Sequence, residues 1–269
     1  MNLFIYDQSF EGLLSAIHDA LETGIVPDKI VSTRLYQDDL FATKFDIATD
    51  LEKSEKLWDM VRIKSSKQNC ERIYTAFLSE LPEIELVIYN YIKLIINMPY
   101  NTEADFSNDY VIKINAIYRK VSREAQRILM FVRFQKTVDD IFYASHDPQY
   151  NVLPLAVKHF KNRFADQKWV IFDTRRRFGY YYDLHDVREI TISNKKISFE
   201  TGKIDNDIMH VSEKLFQNLW QNYYNAINIR ERKNLKVHMQ FLPKRFWKYL
   251  PEKDLIKNRQ IENSIVTVE

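Results

Sequence analysis

The sequence predicts an α+β fold: a helical N-terminal region, then an antiparallel sheet with a β-β-α-β-β core packed with helices. Three observations predict it. Apolar residues recur every three or four positions through much of residues 10–98 and again over 109–130, which places them on one face of a helix. From residue 131 short aromatic-rich runs take over, with the two-residue alternation of strands. These runs come in pairs around turn residues, with one helical stretch between the second run and the third.

The elements follow in order. Residues 2–6 (NLFIY) read as a short strand. Asp7 or Ser9 then caps a helix whose inner face holds Phe10, Leu13, Leu14, Ile17 and Leu21, and Gly24 and Pro27 end it. Residues 50–98 divide into three helices. Leu51, Leu57, Met60 and Val61 mark the first, Cys70, Ile73, Tyr74, Phe77, Leu78 and Leu81 the second. Pro82 opens the third, with Ile84, Ile88, Tyr91, Ile92 and Ile95 inside. Pro99–Asn108 is a polar break. The expected organisation is therefore an acidic, mostly helical region (1–105), a basic α+β region (106–250) and a charged tail (251–269). A long helix is expected over Asp109–Met130, burying Val111, Ile114, Tyr118, Val121, Ala125, Ile128 and Leu129. FVRFQ (131–135) and DIFYAS (140–145) read as one hairpin, and residues 151–164 as a helix. KWVIFDT (168–174) and FGYYYDL (178–184) read as a second hairpin, VREITIS (187–193) and KKISFE (195–200) as a third. A helix over 208–228 is expected to turn Val211, Leu215, Leu219, Trp220 and Tyr223 inward, and residues 243–250 to form a short last helix.

Composition removes whole classes of function. Four glycines in 269 residues fall far below the ~7% of average usage, and they are too dispersed for any glycine-rich phosphate loop. The single Cys70 rules out an intramolecular disulfide and cysteine-rich zinc or iron–sulfur sites, and it points to a reducing compartment, the cytoplasm. The start lacks a signal-peptide pattern, and the most apolar stretch, Ile84–Met98, is too short and too polar for a bilayer. The net charge of +2 hides an asymmetry: residues 1–109 carry 10 Lys and Arg against 19 Asp and Glu, while residues 110–269 carry 29 against 18. Such polarity suits an anionic partner for the second half.

Three basic constellations stand out. Arg119, Arg123 and Arg127 follow at i, i+4 and i+8, a ridge ~12 Å long. Like charges at that spacing repel by ~0.2–0.5 kcal/mol per pair, a cost that a phosphate along the ridge reverses. Arg133 follows in the next strand. Arg175, Arg176 and Arg177 form the tip of the second hairpin, where they can reach a phosphate backbone or make a plain solvated turn. Lys244, Arg245 and Trp247 interleave charge with aromatics, a pattern that suits unpaired nucleic acid and a protein partner equally. No zinc or nucleophile motif is complete, so catalytic residues stay unassigned and neither metal nor cofactor is expected; Asp173, Asp183 or Asp186 as magnesium ligands are the bare alternative.

Four phrases are more specific than periodicity: FIYDQSFEGLLSAI (4–17), INAIYRKVSREAQRILMFVRF (114–134), LPLAVKHFKNRFADQKWVIFDTRRRFGYYYD (153–183) and PKRFWKYLPE (243–252). In them the chain resembles a bacterial family assigned to DNA metabolism or DNA repair, without an assigned activity. The resemblance runs from Phe4 to about Glu252. It departs at Gln8 and Asp140, where glycine is usual, which puts the turn geometry there in question. Members of that family are typically encoded beside a radical SAM protein with helix-hairpin-helix features, and in some bacteria a related region is joined to a uracil-DNA glycosylase-like domain. The resemblance implies a DNA context with a radical SAM or glycosylase-like partner. The expected function is an accessory protein that holds DNA phosphates through Arg119, Arg123, Arg127, Arg133, Arg175, Arg176, Arg177, Lys244, Arg245 and Trp247. A DNA-modifying enzyme with an unrecognised site near the second hairpin and a protein-interaction adaptor are the alternatives.

Overall fold

A computed structural model of the chain describes residues 1–98, 102–192, 198 and 202–253. The chain is an α+β protein. It divides into two compact units, Met1–Arg123 and Glu124–Glu269. The first holds 14 Lys and Arg against 19 Asp and Glu, the second 25 against 18, so the charge asymmetry follows the structural division. No helix among the described residues is long and apolar enough to cross a membrane.

The first unit opens with β1 (Asn2–Tyr6) and α1 (Phe10–Thr23), then β2 (Lys29–Ser32) and β3 (Thr43–Asp46). Ser9 caps α1 by accepting from the Gly12 amide, and Gly24 closes it in the left-handed conformation, φ 73°. The strands form a parallel sheet in the order β2-β1-β3. Only β1 was expected in a region read as helical. β2 and β3 have four residues each, and β3 buries none of its residues fully, so neither carries a clear alternation. The three expected helices are α2 (Leu51–Lys64), α3 (Lys67–Phe77) and α4 (Ile84–Asn97). Asp50 and Ser66 cap the first two through their side chains. Phe4, Leu13, Ile17, Leu57, Ile73, Ile88 and Ile92 fill the core of this unit.

Helix α5 (Asp109–Phe131) contains the division between the units. Val111, Ile114, Val121 and Ile128 are fully buried along it, as their spacing requires. The helix overruns the expected strand at 131–135. The Arg133 guanidinium donates to the Met130 and Val132 carbonyls, which satisfies the helix end and delays the strand.

The second unit carries β4 (Gln135–Lys136), β5 (Phe142–His146), α6 (Leu153–Arg163), β6 (Trp169–Asp173), β7 (Phe178–Tyr182) and β8 (Val187–Ile190), with sheet order β4-β5-β6-β7-β8. The second expected hairpin is present, Trp169 opposite Tyr182, whereas of the expected 131–135 strand only Gln135 pairs, opposite Tyr143. The sheet is nevertheless mixed and not antiparallel throughout. β5 and β6 run parallel, from Phe142 beside Trp169 to His146 beside Asp173. The physical reason lies in α6, which carries the chain back to the end of the sheet where β5 began, as a strand–helix–strand crossover does. Of the third hairpin, β8 pairs with β7, while most of residues 195–200 lie outside the described residues, as does the tail from 254. At Gln8 and Asp140, where the resembled pattern has glycine, the backbone is left-handed, φ 73° and 59°. The glycine geometry persists there without the glycine.

After a stretch of irregular chain come α7 (Glu213–Ala226), α8 (Leu235–Phe241) and a 3₁₀ helix over Lys244–Tyr249. Helix α7 corrects an expectation. Val211, Leu215, Leu219 and Tyr223, expected inside, are more than half exposed, and Trp220 is only partly covered. The helix is attached by its polar side instead. Glu213 is buried and accepts from the Lys136 amide at 2.9 Å. Gln217 donates to Glu213 from within the helix and steadies it, and Gln221 donates to the Pro251 carbonyl. These three stand at i, i+4 and i+8, one face of the helix.

Candidate nucleic-acid interface

The ten residues expected to meet phosphate fall into two groups. Four arginines are committed to carboxylates of the chain. Glu124, 1% exposed on α5, accepts from the Gln149 amide at 3.0 Å and pairs with Arg127 at 3.4 Å and with Arg245. Arg133 binds Glu252 through Nε at 3.2 Å and Nη2 at 2.8 Å, and its guanidinium lies over the Trp220 ring. Arg176 binds the fully buried Asp173 at 2.9 Å and also donates to the Pro148 and Gln149 carbonyls. These four are structural ties, not open phosphate ligands. Trp247 is likewise half-buried and donates its indole N–H to the Leu242 carbonyl. The other five, Arg119, Arg123, Arg175, Arg177 and Lys244, are exposed and form no salt bridge among the described residues.

Within the second unit, two of the expected basic segments meet. The β6–β7 turn (Thr174–Arg177) and the 3₁₀ helix both fasten to the loop after β5. Thr174 donates to the His146 carbonyl through its amide and hydroxyl, and its hydroxyl lies 3.2 Å from the Tyr249 hydroxyl. Lys248 reaches Asp147 at 3.4 Å. Arg175, Arg177 and Lys244 are the exposed charges of this junction. Arg119 and Arg123 belong to the first unit.

The junction sits at the carboxyl end of the parallel pair β5/β6, where crossover connections leave room for ligands in open sheets. Two of its titratable groups, His146 and Asp173, are fully buried. Neither ring nitrogen of His146 has a hydrogen-bond partner among the described residues. Burial, and then the charge of Arg133, holds its pKa down at about 3, so it is neutral at pH 7. Asp173 is raised by burial against the pull of Arg176, and its carboxylate also accepts from the Arg175 and Arg176 amides. Both side chains are fully enclosed, which leaves them no path to exchange protons with a ligand. A magnesium site from Asp173, Asp183 and Asp186 does not form. Asp173 ends β6 at the turn, whereas Asp183 follows the opposite end of β7, where it accepts from the His185 and Asp186 amides. Sequence reasoning did not single out His18, Asp19 and Glu22, whose ligand atoms lie within 4.8 Å of one another on α1. The Lys53 ammonium already binds Asp19 there, at 2.7 Å.

A cavity of about 330 Å³ opens beside this junction. Arg133, Lys203, Lys214 and Lys248 line it, against one carboxylate, Asp205, among its described wall residues. Tyr249, Ile204 and Met209 supply an aromatic and apolar wall. The Tyr249 ring packs on His146 with 5.5 Å between centroids. Burial alone would lower the Lys248 pKa, but the Tyr249 hydroxyl and Asp147 outweigh it and the pKa is raised. The amine is therefore fully charged at pH 7. The sequence signal for this site was weak, because its cations come from four separate segments.

A family profile described as a domain of unknown function, DUF4130, matches residues 82–252. No curated protein matches the chain.

Proposed function

Since the chain belongs to the DUF4130 family, we propose that it is an accessory protein of DNA metabolism or repair, which binds nucleic acid by its phosphates and leaves the chemistry to a radical SAM or glycosylase-like partner in the cytoplasm. One observation carries the reading. After the internal ion pairs are set aside, Arg175, Arg177 and Lys244 remain exposed and unpaired on two segments that meet at one junction. Exposed, unneutralised arginine and lysine gathered in this way suit a polyanion. Arg119 and Arg123 add two further free charges on α5. Fluorescence anisotropy of labelled single-stranded and duplex DNA over a salt series tests it. Affinity should fall with salt by ~0.9 log units per log unit of salt for each duplex phosphate contact, and each of Arg175→Glu, Arg177→Glu and Lys244→Glu should reduce the slope by about one. Unchanged affinity and slope in all three variants would overturn the proposal.

A second reading, a protein-interaction adaptor, is favoured by α7. Leu215, Phe216, Leu219, Tyr223 and Ile227 are each more than half exposed, a contiguous apolar ridge of the kind that marks contact surfaces. Docking would then fall on α7 and not on Trp247. It predicts a partner complex that persists without DNA and is lost in Leu219→Glu.

A further inference from the structure

The cavity is a different kind of feature from the exposed junction. Its cations line a partly open hollow and do not run along a strip. About 330 Å³ lies at the lower end of the ~300–1,000 Å³ of small-molecule sites. Four cations face it against Asp205, and they are not equally available. Arg133 is held by Glu252, and Lys248 lies 3.4 Å from Asp147. Lys214 is exposed and has no ion partner among the described residues, so its charge meets whatever enters. Other residues of the lining bring the other chemistry. The Tyr249 ring, backed by His146, stands with Ile204 and Met209, a surface suited to the flat face of an unsaturated ring. The chain comes close to that ring at Gly202. Its φ is +69°, and a Cβ there would lie 2.5 Å from Tyr249 carbons and 2.1 Å from the Ser145 hydroxyl oxygen. Only glycine lets this wall close.

We propose that the cavity binds a nucleoside monophosphate unit: a phosphomonoester dianion held among the lysines, with its base against Tyr249. The unit is either a free nucleotide or the phosphorylated end of a strand. An inorganic anion would leave the aromatic wall unused, and an uncharged nucleoside would leave Lys214 unpaired. The proposal deepens the nucleic-acid reading and rests on it, because the polyanion held at the junction would supply the strand end.

Calorimetric titration of the full chain tests it, with deoxyadenosine monophosphate, deoxyadenosine and inorganic phosphate. The monophosphate should bind at least ~10-fold more tightly than either fragment, and Lys214→Glu should weaken it by a similar factor. Gly202→Ala should weaken it as well, by pushing into the wall. Lys214 is exposed, so its variant keeps the fold. Competition separates the sources. Displacement of the nucleotide by a terminally phosphorylated oligonucleotide, but not by its hydroxyl-ended twin, assigns the strand end; displacement by neither assigns the free nucleotide. Closed circular DNA, which has no ends, reports on the junction alone, so its failure to bind sinks the nucleic-acid reading without touching the nucleotide titration. Absence of saturable monophosphate binding up to ~1 mM, equal binding of inorganic phosphate, or an unaffected Lys214→Glu variant would overturn the inference.

Discussion

Replacing Glu124 with alanine should destabilise the second unit by about 3 kcal/mol. The side chain is 2% exposed and serves three donors: Arg127, Arg245 and the Gln149 amide. Breaking a buried ion pair by removing one partner costs ~3–5 kcal/mol. Two features pull the figure to the lower end. The Arg127 contact is long, at 3.4 Å, and the arginine side chains are 20% and 36% exposed, so water can take up part of their charge. The Gln149 amide adds ~1 kcal/mol when left unsatisfied. For a domain of this size ~1 kcal/mol moves the Tm by ~2–4 °C, so the loss should be ~6–12 °C. Glu124→Gln keeps an acceptor for Gln149 and should lose about half as much. Differential scanning calorimetry of the full chain reads both, with Arg123→Ala as control, expected within ~0.5 kcal/mol because that side chain is exposed and unpaired. A Tm for Glu124→Ala within ~2 °C of the parent would refute the view that Glu124 ties α5, the loop after β5 and the 3₁₀ helix together.

Three other outcomes follow from the same fold. His146 has its pKa held at about 3 in the folded chain against ~6.5 unfolded, so its contribution is complete above pH 6.5 and lost as pH falls. Stability should drop by ~1.4 kcal/mol per pH unit from this group between pH ~6 and ~3, and denaturant titrations of His146→Leu should show that part of the slope missing; an identical slope would contradict the assignment. Gly179→Ala should destabilise by ~1–3 kcal/mol, since its Cβ would stand 2.4 Å from the Ile171 carbonyl oxygen of the neighbouring strand; an unchanged melting curve would refute the close approach. Gln8→Gly should raise stability by up to ~1 kcal/mol, because left-handed backbone costs a residue with a Cβ ~1–2 kcal/mol and glycine almost none, less the chain entropy glycine adds to the unfolded state; a lowered Tm would argue against it.

Much of the fold was legible where the signal is local. The spacing of Val111, Ile114, Val121 and Ile128 defined α5, Ser9 and Gly24 bounded α1, and alternation found the β6–β7 hairpin. What was not legible depends on distant partners. Nothing within β2 or β3 reveals a strand until β1 lies between them. The parallel pairing of β5 and β6 follows from where α6 delivers the chain. The arginines are the sharpest case. Arg133 pairs with a residue 119 positions away and Arg245 with one 121 positions away, so no window could show that their charge is already spent. Helix α7 misled for a different reason. Its periodicity was real, but periodicity says only that two faces differ, not which of them meets the body of the protein.

That inverted attachment sets how firmly α7 stays in place. Glu213, steadied by Gln217 from within the helix, and Gln221 fasten it by hydrogen bonds that solvent can replace one for one, each with a net value of only ~1 kcal/mol. Little oily surface resists its departure. Backbone amides of α7 should therefore exchange with deuterium well ahead of those in β5 and β6, through openings that leave the sheet intact. Where most helices are glued down, this one is laced on, and lacing can be undone without melting what lies beneath.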